Sequence, residues 1–147
     1  MAIDSRNTFV YSPIDLTTAA VSVTGATVAS TTFAAGGVGL RNIVKRMVIT
    51  CSASGAQAAL FVGIFDGAST SSTVLALFAV QPNLTAASTG SPSILMDLDN
   101  LHIRGTANTV TNVGTTAAPA ASTSIAITAQ AYLFPRANPQ AVANVQP

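Results

Sequence analysis

The sequence predicts an all-β fold: an antiparallel β-sandwich, jelly-roll-like or otherwise Greek-key, of eight or nine short strands. Three observations predict it. Turn signals recur about every eight to twelve residues, and no stretch of useful length carries helical apolar spacing. In Met47, Ile49 and Cys51 the large apolar residues fall on alternate positions, the period of a pleated strand with one face on a core. Two neighbouring segments, 58–65 and 74–80, are apolar on both parities. Both faces of such strands must be covered, by a second sheet on one side and by another layer, an extension or another subunit on the other.

Taken in order, residues 1–15 read as a polar arm in which Pro13 interrupts pairing. Residues 16–33 are rich in Thr, Val and Ala, with Gly25-Ala26 as the turn between two weak strands; branching at Cβ favours extended backbone there. Gly36, Gly37 and Gly39 break the chain before the stretch 40–80, which the rest is organised around. It reads as three strands, joined by a small-residue loop at 52–57 and a turn opening with Asp66-Gly67. Gln81-Pro82-Asn83 and Gly90-Ser91-Pro92 bound a loop. Short strands are predicted at 93–98 and 101–104, around Asp99-Asn100, and at 109–113. Segment 122–134 alternates most cleanly: Ile125, Ile127, Ala129, Ala131 and Leu133 take one face, and Thr128, Gln130 and Tyr132 the other. From Pro135 the chain has three prolines and no apolar period, so 135–147 reads as an extended tail and 16–134 as the sandwich domain.

A chain of 147 residues can bury one real core without disulfides or metals. Its unusual property is charge, with 6 Lys or Arg, 5 Asp and no Glu. A folded monomer of this mass exposes roughly 7,000 Å², which leaves about one charge per 600 Å². Soluble monomers spread charge far more densely. Either hydroxyls keep a Thr/Ser/Ala surface soluble, or copies of the chain or a larger assembly cover much of it. The net charge of +1 gives no field for steering toward nucleic acid or an anionic membrane. With two Tyr, six Phe and no Trp, the chain also lacks the pattern of a single-strand binder. Neither nucleic acid nor membrane is an expected partner. Segment 47–65 is uncharged, yet its middle, Ser52 to Gln57, has a turn composition that no membrane-spanning helix would carry. No basic stretch followed by an apolar core, as in a signal peptide, opens the sequence.

Reactive residues are few. Cys51 is the sole cysteine, so no internal disulfide is possible, and its apolar phase makes it a buried small hydrophobe. His102 is the sole histidine and no nucleophile motif accompanies it, so it reads as structural. Asp97, Asp99 and His102 could surround a cation, but Asp99-Asn100 is also what a tight turn prefers, and the turn reading is the stronger. No catalytic, cofactor-binding or metal-binding residue is assigned, and the chain is not expected to be an enzyme. Arg41, Lys45 and Arg46 hold half the basic side chains in six residues. They read either as a solvated strand edge that discourages stray pairing or as a patch for acidic groups on a partner protein. Asn83-Leu84-Thr85 matches a glycosylation sequon, which carries no weight without a secretory signal.

The succession NIVKRMVITCSASGAQAALFVGIFDGAS, VLALFAVQPNLTA, NLHIRGTANTVTNV and STSIAITAQAYL resembles small capsid cement or decoration proteins of tailed bacteriophages. Members share a strand, a small-residue loop, a strand ending in Asp-Gly, and a late LxIxGTAxT segment before a closing strand that often ends in an aromatic residue. Here those pieces are 42–52, 58–67, 101–109 and 124–132, and the likeness runs from about 40 to 134. The resemblance implies a structural virion protein on the outer surface of the capsid. It also implies a homotrimer and contact with the phage major capsid protein at capsomer junctions. Arg41, Lys45 and Arg46, with Pro135 and Arg136 at the head of the tail, are then the expected partner-binding residues. The alternatives are a tail-fibre or baseplate sandwich and an independent carbohydrate-binding module. Both are weakened by having only Tyr11 and Tyr132 to stack on sugars.

Overall fold

The computed structural model describes residues 16–81 and 93–134. Nine strands and no helix lie in them: β1 Thr17–Thr24, β2 Ser30–Phe33, β3 Arg41–Ala53, β4 Leu60–Asp66, β5 Thr73–Gln81, β6 Ser93–Leu98, β7 Ile103–Arg104, β8 Thr111–Thr115 and β9 Thr123–Phe134. The chain is wound as one long antiparallel ribbon bent between β4 and β5. Strand β1 pairs with β9, β2 with β8, β3 with β6 and β7, and β4 with β5. Two further pairings, β3 with β9 and β4 with β8, close the ribbon into sheets ordered β1-β9-β3-β6 and β2-β8-β4-β5, with β7 beside β3. A five-stranded and a four-stranded sheet with this connectivity make a jelly roll, the more specific of the two predicted sandwich topologies.

The core lies between the sheets, where the alternating residues meet. Met47, Ile49 and Cys51 of β3 stand opposite Ala129, Ile127 and Ile125 of β9, all of them buried, with Val62 and Ile64 of β4 and Val113 of β8 in the same cluster. A one-residue slip of β9 would turn its whole buried set to the outside, at about 1.5–3 kcal/mol for each large side chain. Domain stability is only about 5–15 kcal/mol, so this alternation locks the register.

Several boundaries differ from expectation for local reasons. The segment predicted as 101–104 is a strand only at Ile103–Arg104, because Asn100 and His102 take φ of 56° and 51° and Leu101 N instead donates to Lys45 O at 2.9 Å. The strand expected from 58 starts at Leu60, since Gln57 is buried and its side chain bonds Ala58 O at 2.7 Å. The two weak strands around Gly25 do not form a hairpin; they belong to different sheets.

The sequence predicts coverage of the second face of β4 by a further layer, an extension or another subunit. On the outer face that role falls in part to the chain's own turn. Gly63 and Gly114 are directly opposite, and the Phe65 ring lies over Gly63 in the space a Cβ would occupy. The methyl of Thr70 would stand 2.8 Å from a Cβ on Gly114, and Asn112 Nδ2 reaches Ala68 O at 3.5 Å. The turn after β4 therefore folds back over its own sheet, and Phe65 is buried outside the inter-sheet cluster. On β5 the outward Val74 and Leu77 stay 52% and 46% exposed. The arm and tail lie outside the described residues.

Candidate interaction surfaces

The sheet register sorts the surface into two ends. At one end stand Arg41, Lys45 and Arg46 in the first half of β3, Asp66 at the close of β4, Asp97 and Asp99 at the close of β6, and Arg104 on β7. These are all the charged side chains among the described residues. Thr17 pairs with Ala131 and Arg41 with Phe134, so the described chain also enters and leaves at this end. The opposite end, made of 25–29, 54–59 and 116–122, carries none.

The three basic residues of β3 do not share one environment. A bulge between Val44 and Arg46 isolates Lys45, which is half-buried. Arg46 returns to the outer face and donates to Asp97 through Nε and Nη2, at 3.0 and 2.6 Å. That hydrogen bond, and then the opposite charge, hold the Asp97 carboxyl below its usual range and push Arg46 up. Both side chains are nearly half exposed, so solvent screens the pair. Arg41 also lies on the outer face, half-buried. The strand-edge reading is corrected: β3 is interior, with β9 on one side and β6 and β7 on the other. Pro135, Arg136 and the sequon lie outside the described residues.

Each end is tied by one polar side chain whose role sequence reasoning missed. At the charged end the Asp66 carboxylate accepts from Thr106 N at 2.9 Å and from the Thr106 hydroxyl, while Gly105 N donates to Asn42 O at 2.9 Å. Asp66 thus holds the segment after β7, from the opposite sheet. The Asp-Gly and LxIxGTAxT pieces, far apart in sequence, meet here. At the neutral end Gln57 Oε1 accepts from Ala120 N and Thr123 Oγ1, both at 2.7 Å.

The residues weighed for chemistry are otherwise engaged. Asp97 is paired with Arg46, and Asp99 Oδ1 accepts from Asn100 N at 2.8 Å, which is the expected turn. His102 is exposed within that turn. Cys51 is 1% exposed, and burial pushes its thiol up, away from reactivity. A groove of about 340 Å³ opens on the outer face of the first sheet, among Ser22, Thr50, Ser52, Ser124, Ala126 and Leu95. It is lined by hydroxyls and apolar groups, with no aromatic or charged side chain. Among the described residues no helix is long and apolar enough to cross a membrane.

No family model and no curated protein matches the chain. Among solved structures it is similar to a chain of infectious bursal disease virus, Gx strain, at 10% identity and a TM-score of 0.29, covering 90% of this chain and 40% of that one. It is also similar to a chain of the Gt strain of that virus, at 11% identity and a TM-score of 0.30, covering 99% and 47%. The chain therefore spans less than half the length of those viral chains.

Proposed function

We propose that this chain is a structural virion protein, a cement or decoration protein that binds the outer surface of a tailed-phage head at capsomer junctions. The observation that carries the reading is a jelly roll with few charges that leaves large apolar side chains on both outer faces: Val74 and Leu77 on one sheet, and Leu95, 69% exposed, on the other. Such a surface favours coverage by protein, whether other copies in a trimer or the coat protein. The sequence resemblance points the same way. Binding the assembled shell in preference to free subunits would stabilise it by RT ln(1 + [L]/Kd), about 2.7 kcal/mol per site at a hundredfold excess over Kd.

A carbohydrate-binding module ranks second and rests on the hydroxyl-lined groove, which offers no ring for a sugar to stack on. Quantitative mass spectrometry of purified particles tests the proposal. A copy number comparable with that of the coat protein is expected. A handful of copies would move the chain to a tail fibre or baseplate, and absence from particles would bring the binding module forward.

A further inference from the structure

We infer that the charged end of the outer face of the β1-β9-β3-β6 sheet is a docking surface for an extended protein segment with carboxylates at alternate positions. The register builds it from separate parts of the chain. Tyr132, Ile43 and Arg104 form one row across β9, β3 and β7, and Phe134 stands opposite Arg41 in the next. Ile43 faces outward yet is 2% exposed, whereas Phe134 beside it is 46% exposed. The patch thus presents a half-exposed aromatic ring beside the covered Ile43, flanked by two guanidinium groups.

Charge decides the occupant. Among the described residues Arg41 and Arg104 have no carboxylate within ion-pair distance, whereas Arg46 is taken by Asp97. Arginine's planar fork matches a carboxylate with two parallel hydrogen bonds, and an adjacent apolar surface strengthens them by excluding water. Arg104 lies opposite Ile43, one diagonal step from Arg41, which sets the two about 7–8 Å apart at their bases. Side chains two residues apart on an extended segment are about 6.6 Å apart, close to that spacing. Phosphate backbones fit less well, because Asp97 and Asp99 border the patch and leave too few free cations for counterion release to drive binding.

The inference rests on the shell-binding reading only for which protein supplies the carboxylates. The test uses the full chain and its variants Arg41→Gln/Arg104→Gln and Arg104→Gln alone, the second keeping the test valid if the half-buried Arg41 is needed for folding. The probes are a labelled peptide alternating Asp and Ser, an all-Ser peptide and single-stranded oligothymidine, together with particles stripped of the protein. Expected are binding of the acidic peptide but not the all-Ser one, and weakening of about tenfold or more for each arginine removed, on peptide and particles alike. Absence of peptide binding by the wild type, equal binding by folded variants, or tighter binding of oligothymidine would each overturn the inference. Peptide binding without particle binding would support the surface and sink the shell reading. Particle binding indifferent to both arginines would sink the surface and leave the shell reading standing.

Discussion

The two ends of this sandwich are closed by the same device in different chemistry. Gln57, itself buried, ties the neutral end through the buried Thr123 Oγ1 and the half-buried Ala120 N. Asp66 ties the charged end through Thr106, which water also reaches. A neutral amide among buried groups avoids the cost of desolvating an ion, whereas a carboxylate is tolerated where solvent screens it. The neutral end is thus organised for cohesion, and the charged end is the one open to a charged partner.

Substitutions at matched positions separate the two ends. Gln57→Ala strands Thr123 Oγ1 in the interior and frees the half-buried Ala120 N, and is expected to cost about 2–3 kcal/mol in denaturant unfolding. Asp66→Ala frees donors that water can satisfy, and about 1 kcal/mol is expected. The reverse order would show that the charged end is the cohesive one. Gly105→Ala and Gly55→Ala pose the same steric problem at the two ends. A Cβ would stand 2.7 Å from Thr111 Oγ1 in the first and 2.6 Å from Ser122 Oγ in the second. Thr111 is buried and cannot move aside, so about 1–3 kcal/mol is expected. Ser122 is exposed and can rotate, so a loss below about 0.5 kcal/mol is expected. Equal losses would erase the distinction.

The smallest effect concerns Arg46→Gln. Asp97 is held below the ordinary carboxylate range in the fold, so its pairing stabilises above that range and the benefit fades as pH falls through its lowered pKa. In the variant, carbon-detected NMR titration should find Asp97 moved up toward its ordinary value and the acid limb of stability flattened. An unmoved Asp97 would mean that the Arg46 fork does not govern it.

How much of this was legible depended on whether the signal was local. Alternation along 125–131 and at Met47, Ile49 and Cys51 marked the core faces of β9 and β3, because burial on one side of a pleat imprints a period of two. The adjacency of β3 to β9 and of β4 to β8 left no such imprint, since pairing between distant strands depends on the whole fold. That is why β3 could be read as an edge. Arg41, Lys45 and Arg46 looked like one patch because they are close in sequence, but a bulge and Asp97 separate them. Arg104, whose only signal was its place inside the LxIxGTAxT segment, joins Arg41 instead. Gln57 and Asp66 carried turn-like neighbours and no mark of the groups they hold.

Hydrogen–deuterium exchange of the full chain, free and bound to particles, reads out which end of the sandwich docks. Added protection on binding is expected along 41–46, 103–106 and 131–134, with 25–29 and 54–59 unchanged. Protection confined to the neutral end, with the charged end exchanging as in the free protein, would contradict it.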